Sequence, residues 1–450
     1  MATEIIERFP PGPPTDFVGG HLLSMRRDSL GFFTNNMHEY GGLVHLKFRK
    51  YDAYQVNDPE LVQQVVTTQH RIWHKSVVYK NTLGDYLGDG LLISDGDFWK
   101  RQRRLMQPAF HTKRISAYAE TMVENTKHML DTWQMGEQRD IAHDMMELTL
   151  WIVGKTLFDV DLRHEQSMIS EALENLLHDL PTESRRVIPL PDWLPTPLKH
   201  RKQHTIELLD EVVMPIIAER RKNPYDTGDL LSMLLLAEDD DGTKMSDKQV
   251  RDEALTLVLA GHETTANALT WTLYLISQHP EVEAKLQAEV DSVLGNRAAT
   301  LDDLKDLTYT EMVLKEGMRL YPPAWSFSRQ AIEDTQLGDY HIKAKRMTVI
   351  IPYAIHRNEA YFPNPERFDP ERFSAENEHT IPRYAYLPFG GGPRICIGNA
   401  FAMMEAKLIL SAIIQRFQLC LAAGHQVVPE PLLTLRPKYG MAMDVQKRSE

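Results

Sequence analysis

The chain has 450 residues, a mass of 51.8 kDa and a formal net charge of −13 at pH 7. This acidic balance argues against general nucleic-acid binding and leaves only local basic patches to recruit an anionic partner. The two cysteines, Cys396 and Cys420, support neither a disulfide framework nor a cysteine-rich zinc site. An apolar fraction of 42% and a charged fraction of 25% are ordinary for a globular protein.

The N-terminal stretch shows no targeting or anchoring segment. Residues 1–10 are charged and lack the apolar centre of a signal peptide. The nearest approach to a membrane span, residues 254–276, is interrupted by His262 and Glu263. We therefore expect a soluble, cytoplasmic protein without a transmembrane anchor.

The first recognisable element is a β-hairpin, in which Leu43–Phe48 and Ala53–Val56 flank a polar turn. The run Lys80–Gly96 carries four glycines and is predicted to be an irregular loop. It leads into a helix near Asp97–Met106, and the pattern then stays mainly helical. We predict a mainly helical α+β fold that forms a single domain over residues 1–450. The predicted β-rich portion covers about 40–60, 325–355 and 430–446, and the helical portion about 97–322 and 398–418.

One predicted helix is long enough to cross the whole domain. The segment Ser246–Gln249 fits a capping box and Pro280 ends the run, which gives about 32 residues and roughly 48 Å. Its middle, residues 260–265, is poor helix-forming sequence in an otherwise apolar element. Glycine and threonine hydroxyls there permit a kink. This stretch is either a polar notch beside a bound cofactor or only a solvated interruption of the helix.

A glycine-rich loop near the C-terminal end delivers one cysteine. It runs from Phe389 to Gly398 with the sequence FGGGPRICIG, and the helix-like run Ala400–Phe417 follows at once. Its glycines let the backbone come close to a flat or bulky group. Cys396 precedes a helix N-terminus, whose dipole and free N–H groups favour a thiolate. Such a thiolate suits a soft metal ion or a metal-bearing cofactor; a nucleophilic or an inert buried cysteine is the alternative.

The spacing of Phe389, Gly392, Arg394, Cys396 and Gly398 resembles the haem-binding loop of the cytochrome P-450 family. The resemblance implies a trigonal-prism-like fold with a long central helix over haem b, that is, iron protoporphyrin IX. It also implies that the Cys396 thiolate is the axial ligand of the iron. The implied activity is that of a haem-thiolate monooxygenase, which activates dioxygen and hydroxylates or epoxidises a lipophilic small molecule. The lack of an anchor is similar to the soluble bacterial members.

The middle of the long helix resembles the oxygen-activation segment of the same family. The resemblance implies Thr264 as the alcohol and Glu263 as the acid that relay protons to bound dioxygen. Ala260 in this segment is an implied haem contact. Phe389 and Gly398, at the two ends of the cysteine loop, are also implied to contact the haem.

Glu316 and Arg319 are three residues apart on a predicted helix, so they lie on one face and can pair. They match the Glu-x-x-Arg signature of the family, in which the pair is locked by an arginine of a downstream Pro-Glu-Arg-Phe segment. Two copies of that segment occur here, one with Arg372 and one with Arg367. Arg372 is the implied third member, although sequence alone leaves the choice open. The implied role is to support the cysteine loop.

Haem propionates need cationic or N–H partners when they are partly buried. Residues 99–103 (WKRQR) resemble the Trp-x-x-x-Arg helix segment of the family, which implies Trp99 and Arg103 as propionate donors. Arg329 and the loop residue Arg394 are the other implied contacts.

Lys100, Arg101 and Arg104 form a basic cluster that is predicted to face solvent. An acidic ferredoxin, flavodoxin or flavin reductase could dock there through complementary charge; otherwise the cluster is only a solvated helix face. The chain has no cysteine set for an iron–sulfur cluster and no flavin-binding domain. Electrons are therefore expected from a separate protein, and the enzyme is expected to be a monomer.

The implied substrate-facing segments are largely apolar, which favours a fatty acid, a terpenoid or a similar molecule. Two other functions remain open: a peroxide-driven peroxygenase or isomerase, and a non-enzymatic haem sensor. The first would not need the acid–alcohol pair, and the second would show no turnover with any competent reductase. The segments are Tyr79–Leu92, Leu173–Val187, Thr256–Thr264, Trp325–Phe327 and Tyr439–Met441.

Overall fold

Helices dominate the structure, and the predicted mainly helical α+β class is confirmed. The computed structural model describes residues 9–15, 19–49, 51–163, 165–184, 196–222, 225–238 and 242–448. Residues 1–8 and 185–187, on which parts of the anchor and substrate-segment predictions rest, lie outside these ranges. The helices are α1 (Leu22–Arg27), α2 (Ser29–Tyr40), α3 (Pro59–Gln63), α4 (Val77–Leu87), α5 (Gly96–Met106), α6 (Thr112–Ile115), α7 (Ala119–Leu130), α8 (Ile141–Phe158), α9 (Gln166–Ser184), α10 (Pro197–Lys222), α11 (Leu230–Leu236), α12 (Asp247–Ser277), α13 (Pro280–Leu294), α14 (Thr308–Leu320), α15 (Pro352–Ile355) and α16 (Asn399–Arg416).

The strands are short and gather into small sheets. They are β1 (Leu43–Phe48), β2 (Tyr51–Val56), β3 (Trp73–Lys75), β4 (Gln138–Asp140), β5 (Phe327–Ala331), β6 (Thr335–Leu337), β7 (Tyr340–Ile342), β8 (Met347–Ile350), β9 (Phe417–Leu421), β10 (Pro429–Pro431), β11 (Leu435–Pro437) and β12 (Ala442–Lys447). The predicted hairpin is confirmed as β1–β2, with Leu43 opposite Val56. It continues into a sheet of order β1-β2-β8-β5-β3, in which only β2 and β8 run parallel. A second sheet has the order β4-β12-β9, and β6–β7 and β10–β11 are separate pairs.

The long helix α12 is the centre of the helical core. The predicted capping box is present: the Ser246 hydroxyl accepts from the Gln249 N–H over 3.3 Å, and the Gln249 side chain accepts from the Ser246 N–H over 2.9 Å. The helix spans 31 residues and packs along α8 and against α10, α14 and α16. The helix is buried on nearly every side, although it carries charged and polar residues as well as apolar ones. None of the described helices is both long and apolar enough to cross a membrane.

The irregular loop predicted over Lys80–Gly96 is wrong in its first half, which forms helix α4. Leu83, Tyr86 and Leu87 are each at most 1% exposed, and this burial outweighs the poor helix propensity of glycine. The helix ends at Gly88, whose φ of +63° suits glycine at this position. The burial of these apolar side chains, which the number of glycines does not reveal, therefore made this segment helical.

Three strands fall outside the predicted β-rich segments: β9, where the predicted terminal helix was expected to end, and the two three-residue strands β3 and β4. Strand β3 pairs with β5, which sets Lys75 opposite Arg329. Strand β4 pairs with β12, which sets Arg139 opposite Met443. Both strands are only three residues long, so neither carries the alternation that marks a strand in sequence. The first of them places a lysine at the candidate site.

Candidate active site

The cysteine loop is closed on itself and packed on a neighbouring turn. The N–H of Cys396 donates to the carbonyl of Phe389 over 3.0 Å. Gly392 has a φ of +67°, and a Cβ on it would lie 1.8 Å from the carbonyl oxygen of Val66. Glycine at 392 is therefore required by close contact with the protein backbone. Helix α16 begins at Asn399, directly after the loop.

Opposing effects act on the thiol of Cys396. The residue has accessible surface, yet protein surrounds its sulfur closely enough that burial raises the pKa of the thiol. The backbone N–H of Gly398 and the positive charge of Arg103 act in the opposite direction. Burial therefore outweighs the helix terminus, which corrects the expectation that the terminus by itself favours a thiolate. A metal cation bound to the sulfur would favour the thiolate outright.

A break in burial marks the middle of α12. From Val250 to Leu273 every residue is buried except Ala260, Gly261 and Thr264. These positions share one helical face, so their accessible atoms form one patch inside the core. Helix α16, which follows the cysteine loop at once, packs against α12. The cysteine loop thus leads directly into a helix that packs against the helix bearing this accessible face.

The predicted alcohol and acid point in different directions. The Thr264 hydroxyl lies on the accessible face and donates to the Ala260 carbonyl over 2.6 Å. Glu263 is 1% exposed, and its Oε1 accepts a hydrogen bond from the Thr434 hydroxyl over 2.5 Å. Burial raises the pKa of the Glu263 carboxyl, against the opposing effects of this bond and of the Arg436 charge. The structure therefore places the alcohol, but not the acid, in the notch that the sequence suggested for both.

Buried cations gather around Asp95. Arg394 donates to this carboxylate from Nη2 over 2.6 Å, and the backbone N–H of Lys75 donates to it as well. Burial, with the nearby charges of Arg329 and Arg394, lowers the pKa of Lys75 to about 7. Three cationic side chains, those of Lys75, Arg329 and Arg394, thus interact with two carboxylates, those of Asp95 and Glu253. The buried Nε of Arg394 has no hydrogen-bond partner among the described residues. The cluster therefore has spare positive charge and a spare donor for an anion.

The two predicted residues of α5 reach the same region. The guanidinium of Arg394 lies 4.9 Å from the ring centre of the buried Trp99, within cation–π range. Arg103 donates from Nη1 to the carbonyl of Ile395 over 2.8 Å. Trp99 therefore joins the cation cluster, whereas Arg103 contacts the cysteine loop itself.

Glu316 and Arg319 form a fully buried ion pair on α14. The two contacts measure 2.7 Å from Nε and 2.8 Å from Nη2 of the arginine. The Arg372 side chain lies 3.5 Å from Glu316, whereas Arg367 contributes only its backbone carbonyl, which accepts from Arg319 over 3.1 Å. By side-chain geometry Arg372 is the third member of this group.

His356, which the sequence did not single out, links this ion pair to the cysteine loop. Arg319 donates to the His356 carbonyl over 2.8 Å. The imidazole Nε2 accepts from the backbone N–H of Leu387 over 2.8 Å, two residues before Phe389. Burial, with the nearby Arg319 charge, lowers the pKa of His356 to about 3, so the ring stays neutral with its proton on Nδ1. A continuous chain of hydrogen bonds thus connects α14 to the loop.

The basic cluster on α5 is only partly directed to solvent. Lys100 and Arg104 are exposed, and Lys100 lies 2.9 Å from the carboxylate of Asp97. Arg101 is half-buried and donates to the carbonyl of Thr243 over 3.3 Å. Arg101 therefore faces solvent only in part.

The chain matches the family model described as cytochrome P-450 over residues 10–442. This chain belongs to the cytochrome P-450 family. It is 38% identical to cyclooctatin synthase of Streptomyces melanosporofaciens over 421 residues, which cover 93% of this chain and 91% of the relative. It is 36% identical to cyclooctat-9-en-7-ol 5-monooxygenase of the same organism, over 89% of this chain and 87% of the relative. It is 32% identical to pentalenene oxygenase of Streptomyces avermitilis, over 93% of each chain.

This cytochrome P-450 is a monooxygenase whose cofactor is a haem with a thiolate ligand. The residues present fit that cofactor. An accessible cysteine lies just before helix α16, which packs against α12, and between Val250 and Leu273 the burial of α12 is interrupted only at Ala260, Gly261 and Thr264. The surplus of positive charge near Asp95, with the unpartnered Nε of Arg394, suits the two propionates of haem.

Proposed function

We propose that this cytochrome P-450 hydroxylates or epoxidises a lipophilic terpenoid, using dioxygen and electrons from a separate protein. The observation that carries the proposal is the accessible face at Ala260 and Thr264 in the otherwise buried middle of α12, the helix on which α16 packs directly after the loop of Cys396. The relatives named for cyclooctatin and pentalenene support a terpenoid rather than a fatty acid.

The chain provides a separate group of residues for each part of the cofactor. Cys396 would hold the iron, and Lys75, Arg329 and Arg394 would hold the propionates through their buried charges. When bound, the haem supplies the oxygen-activating chemistry, which a thiolate ligand promotes. The protein supplies binding, orientation and exclusion of water.

Other predicted contacts complete the site. Trp99 would stack on Arg394 beside one propionate, and Arg103 would stabilise the thiolate through its charge. Phe389, Ala260 and Gly398 would contact the haem faces.

Thr264 would hold a proton near the reacting oxygen. Its hydroxyl donates to the Ala260 carbonyl, a resting partner that it can leave by rotation about χ1. Glu263, buried behind it, would replace the donated proton. Transfer by a positioned acid of this kind typically contributes 10²–10⁴-fold, roughly, to a rate.

The remaining predicted residues would have structural or partner-binding roles and would not take part in the reaction itself. Glu316, Arg319 and Arg372 would support the cysteine loop through His356. The exposed charges of Lys100 and Arg104, with a smaller part for Arg101, would attract an acidic ferredoxin, flavodoxin or flavin reductase. The proposal also includes that the protein is a single domain and acts as a monomer in the cytoplasm.

The test begins with optical titration of the haem protein by terpenoids and, as the comparison class, by fatty acids. A terpenoid is expected to shift the spin state of the iron at lower concentration, and a preference for fatty acids would contradict the terpenoid assignment. Turnover with that compound, dioxygen and a surrogate ferredoxin system is then compared with turnover of Thr264→Ala. We expect about a tenfold or larger loss of product per electron.

Thr270→Ala is the matched control, because this buried threonine of α12 also donates to the carbonyl four residues earlier but lies off the accessible face. Its product yield should stay near that of the wild type. Full oxygen-driven turnover in Thr264→Ala would instead favour peroxide-driven chemistry.

A further inference from the structure

The carboxyl of Glu263 is tied to the turn between β10 and β11. The Thr434 hydroxyl in this turn contacts two side chains of α12: it lies 2.5 Å from Glu263 Oε1 and 3.0 Å from Asn267 Nδ2. Glu263 and Asn267 are four residues apart and therefore on one face of the helix. All three side chains are 5% exposed or less. A single threonine thus bridges successive turns of the central helix.

The directions of these hydrogen bonds follow from the groups involved. Asn267 Nδ2 can only donate, so Thr434 Oγ1 accepts from it and turns its one proton toward Glu263. Oε1 of the carboxyl is therefore an acceptor. Oε2 is buried and has no hydrogen-bond partner in the part of the chain that the structure describes. A proton on this carboxyl would consequently reside on Oε2.

The turn that carries Thr434 is rigidly placed. The indole of Trp271 donates to the Leu435 carbonyl over 3.0 Å, and the indole of Trp325 donates to the Leu432 carbonyl over 3.0 Å. Thr434 lies between these two anchored residues. These two bonds therefore keep the backbone of Thr434 within reach of Glu263.

The same turn leads to solvent. Arg436 on β11 pairs with Glu430 on β10 over 3.0 Å, and both side chains are partly exposed, by 32% and 26%. The positive charge of Arg436 acts on Glu263 and lowers the pKa of its carboxyl, against the larger effect of burial. A charged, partly water-accessible pair thus includes Arg436, which lies two residues along the chain from Thr434, the hydrogen-bond partner of the buried acid.

We propose that Thr434 is a positioning residue of the monooxygenase: it holds Glu263 so that protons enter from the β10–β11 turn and pass to the Thr264 side of α12. The inference rests on the proposed function, because it assigns the route by which the proposed acid is resupplied. No step of it requires an oxidant or reductant beyond those of the monooxygenase reaction.

The test compares Thr434→Val, which removes the hydroxyl at nearly constant shape, with Thr434→Ser, which keeps it. Thr270→Val is the matched control, since it removes a buried hydroxyl of α12 that does not contact Glu263. Infrared spectra of the substrate-free haem protein are recorded against pH. The Glu263 carboxyl band is assigned by its loss in Glu263→Gln. The thiolate absorption band confirms correct folding of each variant.

In Thr434→Val the carbonyl stretch of Glu263 should move to higher frequency, because Oε1 loses its donor. The ionisation constant of Glu263 should fall about tenfold, the effect of losing one hydrogen bond to a charged group. In the same variant the product formed per electron should fall by a similar factor, and the solvent isotope effect on turnover should increase. Thr434→Ser should restore the wild-type product yield and isotope effect. The control should match the wild type.

An unchanged carboxyl band or unchanged coupling in Thr434→Val would overturn the proposal. Wild-type turnover is measured first, and its absence would refute the proposed function separately. The infrared band reports the Thr434–Glu263 contact whether or not turnover occurs, so the two failures are distinguishable.

Discussion

Arg319→Met should destabilise the protein more than any surface charge change. Arg319 and Glu316 are fully buried, and the arginine also donates to the carbonyls of His356 and Arg367. Methionine leaves the Glu316 charge in the core with the backbone N–H of Asp369 at 2.9 Å and the Arg372 side chain at 3.5 Å as its remaining partners among the described residues. Removing one member of a buried ion pair costs about 3–5 kcal/mol. That is a large part of a typical folding free energy of about 5–15 kcal/mol.

The free energy of unfolding is measured by urea titration of the haem protein, with tryptophan fluorescence and the thiolate absorption band as probes. The matched control is Arg163→Met, which removes a two-point contact to Asp161 of 2.8 and 2.7 Å in which both side chains are over 40% exposed. An exposed pair contributes less than about 1 kcal/mol. With both probes, the free energy of unfolding should therefore fall strongly in Arg319→Met and hardly change in Arg163→Met. Equal shifts would refute the reasoning from burial.

Haem binding to the haem-free protein between pH 7 and 10 should take up a proton, because the propionates restore the charge of Lys75, whose pKa is lowered to about 7. Calorimetry in buffers of different ionisation heat should show this uptake in the wild type and lose it in Lys75→Met. Burial raises the pKa of Glu253 to about 7, so the native state binds the extra proton and stability falls as pH rises from about 5 to 7. Glu253→Gln should remove that fall in urea titrations, and an unchanged slope would contradict it. Gly392→Ala should prevent folding because its Cβ would lie 1.8 Å from the Val66 carbonyl, whereas Gly398→Ala, with 3.7 Å to its nearest neighbour, should yield folded protein by circular dichroism.

Features encoded in contiguous residues were readable from the sequence. The cysteine loop, the capping box of α12 and the β1–β2 hairpin each depend on residues a few positions apart, and the family and fold class followed from them. Prediction was weaker where packing competes with local propensity. Helix α4 formed despite its glycines, because its apolar side chains are buried.

The direction of each polar side chain required the tertiary structure. The sequence placed Glu263 beside Thr264, but helical geometry turns neighbouring residues about 100° apart. Which face of α12 stays accessible depends on the elements that pack around this helix. Contact geometry likewise distinguished Arg372, whose side chain approaches Glu316, from Arg367, which offers only a carbonyl.

The sequence by itself determined that a cysteine-bearing loop and a long helix belong to a haem-thiolate enzyme, because the residues that identify it are neighbours along the chain. Only the tertiary structure brought Lys75 to the cation cluster, His356 to the loop, and Thr434 to Glu263, which lies 171 positions away. No local pattern encodes these contacts. They exist because a buried polar group needs a hydrogen-bond partner within the protein, and the packing of distant segments decides which partners are within reach.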